Sequence, residues 1–204
     1  MPATAAQRKY QELRNKIAEA KRVMEETAKG LFAEMSAELF NENPTLTSFG
    51  WNQYTPYFND GDECVFRCNG SYPTVSMAID GDVLSYDSNS GDLEINGEEV
   101  RSQETYVRVF KDMFKGMKGG AEAASIIERG KTVSYDPATG DVTKDGVKVK
   151  SHVEYRSMLD GLEKTVSTFM DTFEDEDMKV MFGDHVQVVV HRDGKIETEE
   201  YSHD

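Results

Sequence analysis

Apolar residues recur at Tyr10, Leu13, Ile17, Ala20, Met24, Ala28, Leu31, Met35 and Leu39. Steps of three and four averaging about 3.6 predict one long amphipathic helix over residues 1–41. The drift away from a strict period of about 3.5 favours a straight helix packed on a sheet or another helix, with a coiled-coil dimer as the alternative. "NENPTLTSFG" stops it, because Pro44 disfavours helical geometry at Asn43 and lacks a backbone donor.

Beyond Pro44 the period shortens. "WNQYTPYFNDGDECVFRCNGSYPTVSMAIDGDVLSYD" alternates aromatic and β-branched runs with Asn, Asp and Gly turn signals, which predicts strands joined by tight turns. The phrase "SYDSNSGD" from Ser85 returns as "SYDPATGD" from Ser134, and at this shift of 49 nine positions between Ser85 and Tyr106 coincide. Each copy reads as a hairpin with a tight turn, Asn96-Gly97 or Asp145-Gly146. An amphipathic helix follows, with Tyr106, Phe110, Met113 and Met117 falling onto Tyr155, Leu159, Leu162 and Val166. Ser102 and Ser151 are the expected N-caps, and Ser151 with Glu154 fits a capping box. A weaker echo sets Phe58, Asp60, Val65 and Gly70 against Phe182, Asp184, Val189 and Gly194. The expected fold is therefore α+β, with two related antiparallel hairpin-plus-helix repeats and helices on one face of the sheet. Its expected parts are the helix of 1–41, a first half at 42–118, a Gly-flanked connector with a short helix at 119–130, and a second half at 131–204.

Charge narrows the partners. A formal charge of −15 on 204 residues argues against direct binding to nucleic acid or to anionic lipid, and it attracts basic protein surfaces. No apolar run long enough to span a bilayer is present, and the N-terminus lacks the apolar stretch of a signal peptide. Cys64 and Cys68, four residues apart on an expected strand, would sit about 13 Å apart. That is beyond disulfide reach, and reduced thiols point to a cytoplasm.

Catalytic motifs are missing. Asp60, Asp62, Asp80, Asp82, Asp87 and Asp92 fall in turns without the ligand series of a calcium loop, and His152, His185, His191 and His203 do not form a zinc pattern. There is no nucleophile elbow and no phosphate-binding glycine loop. The expectation is no catalytic residue, no metal and no cofactor. An enzyme would need the acidic turns, Tyr54, Tyr57 and His185 to converge on one cleft. Two stretches invite binding instead. Trp51, Gln53, Tyr54, Tyr57, Asn59 and Asp60 form an aromatic motif that suits an interface, or else a core plug between helix and sheet. The run "DTFEDEDMK" offers Asp171, Glu174, Asp175, Glu176 and Asp177 as an acidic surface able to mimic phosphates.

"NPTLTSFGWNQYTPYFNDGDECVF" resembles the motif of a protein family, many of whose members are encoded by bacteriophages, with a W-x-Q-Y-T-P-Y-F-N-D-G-D segment after a helix. Trp51 and Gln53 to Gly61 carry the likeness, which brings no activity. It implies a phage protein in the cytoplasm of an infected bacterium. The functional expectation is a non-enzymatic, acidic interaction protein that binds a host or virion protein. A virion-associated assembly protein that self-associates through the N-terminal helix, or a DNA mimic, are the alternatives.

Overall fold

The computed structural model describes residues 4–58, 61, 63–70, 73–86, 92–102 and 133–202. They form an α+β fold with a long N-terminal helix, antiparallel sheets and further helices. The chain forms two compact units that interleave along the sequence. One lies within Met1–Pro44, Gly50–Tyr72 and Thr168–Asp204, the other within Thr45–Phe49 and Pro73–Ser167. The connector at 119–130, the limit at 118 and the first repeat's helix with its Ser102-capped stripe lie outside the described residues.

The first unit opens with α1, Ala5–Glu42. A capping box starts it: the Gln7 amide donates to Thr4 Oγ1 at 3.2 Å and the Thr4 amide to Gln7 Oε1 at 2.7 Å. Asn43 ends it, with backbone and side-chain nitrogens both donating to Leu39 O. Only Phe32, Ser36, Leu39 and Phe40 of this helix are buried. The expected packing along the whole stripe is not found, because Tyr10, Leu13, Ile17, Met24 and Leu31 are about half exposed or more.

Strand β1, Leu46–Tyr54, lends its second part to this unit. There β2, Arg67–Cys68, pairs antiparallel with its end, Gln53 opposite Cys68 and Tyr54 opposite Arg67. The expected strand "ECVFRCNG" thus shrinks to two residues. Phe32 gathers the core, its ring 5.8 Å from Trp51, 5.2 Å from Phe173 and 5.2 Å from Phe182.

In the second unit Ala78 donates to Thr45 O, setting β3, Thr74–Ile79, beside the start of β1. From β3 the order runs to β4, Asp82–Tyr86, β5, Leu93–Ile95, and β6, Glu98–Glu99. A second sheet orders β7, Arg101–Ser102, β8, Val133–Asp136, β9, Asp141–Lys144, and β10, Val147–Ser151, with β7 and β8 parallel. The two phrases of the sequence adopt one register. Ser85 faces Glu94 as Ser134 faces Thr143, and Glu94 faces Glu99 as Thr143 faces Lys148. Both hairpins turn through two positive-φ residues, Asn96-Gly97 at 54° and 75° and Asp145-Gly146 at 52° and 79°. Those values suit the twist of a two-residue hairpin, and Asn, Asp and Gly tolerate them best.

Helix α2, His152–Met170, follows β10. The Glu154 amide donates to Ser151 Oγ and the Ser151 amide donates to Glu154 Oε2, so the capping box forms as read. Tyr155, Leu159, Leu162 and Val166 are buried. Tyr86 of β4 donates its hydroxyl to Asp160 Oδ1 at 2.7 Å, while the Arg156 guanidinium lies over its ring. Burial, then the Asp160 carboxylate, pushes the Tyr86 phenol above its ordinary range.

The first unit closes with α3, Asp175–Phe182, which packs on α1, then β11, Val186–His191, and β12, Ile196–Glu200. These last strands pair antiparallel from Val186 opposite Glu200 to Val190 opposite Ile196, with β11 neighbouring β1.

Candidate functional site

The aromatic motif divides between core and surface. Alternation along β1 turns Trp51 and Gln53 to one side, where they are 2% and 0% exposed. A buried amide needs its hydrogen bonds, and Gln53 has them: Oε1 accepts from Trp51 Nε1 at 2.9 Å, while Nε2 donates to Gly183 O at 2.6 Å and Met178 O at 3.2 Å. One side chain thus ties β1 to the end of α3.

The chain leaves β1 at Tyr54, whose ring stands 5.6 Å from that of Tyr201. The next residue is clamped. Thr55 donates its amide to Asp184 Oδ1 at 2.8 Å and its hydroxyl to Asp184 Oδ2 at 2.7 Å, and Lys179 Nζ lies 3.0 Å from the same Oδ2. Burial works to raise the Asp184 carboxyl, but the Thr55 hydroxyl, the Lys179 ammonium and the Thr55 amide outweigh it and hold the group at about 2. The Lys179 ammonium also lies 4.8 Å above the Phe66 ring.

Past the clamp the aromatics face solvent. Tyr57 and Phe58 are 68% and 77% exposed. Tyr57 stacks on His185, with ring centroids 4.6 Å apart and planes within 14°. His185 is set there by a left-handed backbone, φ 57°, held by its amide to Asp184 Oδ1 and by the Tyr201 amide to its carbonyl. Asn59 and Asp60 lie outside the described residues.

The acidic run takes a different place. Asp171, Glu174, Glu176 and Asp177 are exposed, while Asp175 is half-buried. Asp175 Oδ1 accepts from the Cys68 amide at 2.9 Å, and Oδ2 lies 3.8 Å from Arg67. Carboxylates at 175–177 in the first turn of α3 oppose the positive end of its dipole, so part of the cluster has a helix-building cause. A cleft of about 350 Å³ opens here between Cys68, Gly70, Met170, Phe173 and the acids Asp171, Glu174 and Asp175.

Two described groups of this unit bear on acid–base chemistry, the Cys68 thiol and the His185–Tyr57 pair. Burial, reinforced by the Asp175 charge and only partly offset by the Gly70 hydrogen bond, pushes the Cys68 thiol up to about 11, which leaves it protonated near neutrality. His185 and Tyr57 do meet, but face to face, with His185 Nε2 3.8 Å from the nearest Asp184 oxygen. Among the described residues no His, Cys, Asp and Glu group is arranged to hold a metal, and no helix is long and apolar enough to cross a membrane.

Sequence reading missed the partners that hold the motif. Thr55 lay inside the quoted stretch but carried no binding signal, and Asp184 and Lys179 stand more than a hundred positions away in unremarkable acidic sequence. Their pairing arises from the return of β11 beside β1, which no local pattern announces. No protein-family model, curated protein or solved structure matches the chain.

Proposed function

We propose that this protein is a non-enzymatic binding module that docks another protein on Tyr57 and Phe58. The observation behind this reading is their presentation: two large aromatic side chains stand in solvent two and three positions after Thr55, which is fixed by two hydrogen bonds to Asp184. Exposed aromatic surface held on an ordered base loses little conformational entropy on binding, which suits interface anchors. The exposed acids Asp171, Glu174, Glu176 and Asp177 lie toward the opposite end of α3, an eight-residue helix about 12 Å long, and add attraction for a basic partner. Likeness of the Trp51–Gly61 stretch to a largely phage-encoded family supports a partner in the infected bacterial cytoplasm, a host or virion protein. DNA mimicry has less support, since Asp175 is engaged with Cys68 and Arg67.

The test is capture from bacterial lysate at low and high salt by wild type, Tyr57→Ala and Phe58→Ala. Anchor residues of this type contribute about 2 kcal/mol, so each variant should weaken capture of the same protein roughly thirtyfold, with thermal unfolding unchanged for Phe58→Ala and lowered only slightly for Tyr57→Ala, which loses its stacking on His185. Equal capture by all three would sink the aromatic docking reading.

A further inference from the structure

α1 carries a second surface, independent of the aromatic pair. Residues 4–24 are exposed throughout, and α1 becomes buried only at Phe32, Ser36, Leu39 and Phe40. From Tyr10 to Leu31 the residues Tyr10, Leu13, Ile17, Ala20, Met24, Thr27 and Leu31 follow strict alternating steps of three and four, the seam of a two-stranded coiled coil. Reading Thr27 in place of Ala28 turns the straight-helix pattern into that heptad. The Thr27 hydroxyl is satisfied by Val23 O at 2.7 Å, which leaves its methyl for the seam. At about 100° per residue the seam lies roughly a third of a turn from the face that enters the core, so it is no continuation of the buried stripe.

The helix is built to stand in water without a neighbour. Lys16 pairs with Glu12, Lys29 with Glu25, and Arg22 with both Glu19 and Glu26. Spacings of three and four residues stabilise an isolated helix, and Glu preceding Lys is the better order.

Charge selects the occupant. The positions flanking the seam are Arg14, Lys21 and Ala28 on one side and Lys9, Lys16, Val23 and Gly30 on the other, with no acid among them. Residues 4–24 hold six cations against two acids in a chain of net −15. A second copy would bring the same basic edges; in a parallel pair Lys16 would face the other chain's Lys21. A bilayer asks for an apolar face wider than this narrow seam. We propose that residues 7–31 of α1 form a heterotypic coiled coil with an amphipathic helix of another protein whose seam is flanked by Glu and Asp.

Two synthetic helical peptides with identical Ile/Leu seams, one flanked throughout by Glu and the other by Lys, test this by fluorescence anisotropy with the full-length protein. The Glu peptide should bind, about tenfold more weakly at high salt, and the Lys peptide should not. Ile17→Asp should abolish binding, and a charge-reversed Arg14→Glu, Lys16→Glu, Lys21→Glu variant should exchange the preference. Both substitution sets fall on exposed positions, and circular dichroism verifies their fold. Tyr57→Ala should bind the Glu peptide normally, which separates failure of this proposal from failure of the aromatic docking reading. Equal binding of both peptides, binding of neither, or unchanged preference in the reversed variant would overturn it. So would dimerisation in sedimentation that Ile17→Asp removes, or uptake onto phosphatidylglycerol vesicles.

Discussion

Asp184 is the residue on which the exposed aromatics depend, because both its oxygens are committed to Thr55 and Lys179. Its carboxyl lies lower in the fold, about 2, than its ordinary 3.8. A depressed acid contributes stability above the unfolded value, and that contribution fades as pH falls through the folded one. Asp184→Asn should therefore melt below wild type at neutral pH, with the gap narrowing from about pH 4 downward and closing near pH 2 in thermal unfolding scans. Gln53 is the second such residue. Gln53→Ala leaves the Trp51 indole N–H and two carbonyls without their partner and opens a void, a loss of about 2–4 kcal/mol by chemical denaturation. Gln53→Glu should cost more at neutral pH than at pH 4, since a buried carboxylate would face two carbonyl oxygens. The prominence of Trp51 and Gln53 was legible in the sequence. That they lie inside was not, because an aromatic run of this composition serves a core and an interface equally well.

Elements were readable to the extent that local chemistry decides them. The Asn-Gly and Asp-Gly turns, the Ser151–Glu154 cap and the stripe Tyr155, Leu159, Leu162 and Val166 all stand as expected, since each depends on neighbours within a few positions. Exposure of the α1 seam was hidden, because periodicity marks an apolar face but not what covers it. The junction of Gly70 with α2 was equally hidden. A Cβ on Gly70 would sit 2.8 Å from Met170 Cβ and 2.9 Å from its Cε. The methyl at Cε can move, but the Cβ is fixed to a helix. Gly70→Ala should then lose about 1–3 kcal/mol through overpacking, and Met170→Ala in the same chain should recover little of it, because alanine keeps the Cβ, as a double-mutant cycle would register.

At the scale of the whole molecule, the decisive feature is that neither unit is a continuous piece of chain. Gly50–Tyr72 and Thr168–Asp204 build one together, and Thr45–Phe49 joins Pro73–Ser167 in the other. Fragments cut at a sequential midpoint, such as 1–118 or 131–204, should give collapsed proton NMR spectra without dispersed methyl signals, whereas the intact chain gives a folded one. Dispersed spectra from both fragments would refute this. Such long-range closure leaves no mark in a local pattern, which is why strand order lay beyond the sequence reading.

Trp51, the single tryptophan of the chain, is packed against Phe32 and Phe182 and donates to a buried amide. It therefore serves as an optical label that nature placed in one unit alone. Indole emission, blue while the ring is dry and red once it meets water, follows the unit of Trp51, whereas circular dichroism sums over the entire chain. Because β1 contributes residues to both units, the two signals should change over the same denaturant range. An emission change completed ahead of the ellipticity change would instead resolve the units spectroscopically, without cutting or labelling the protein.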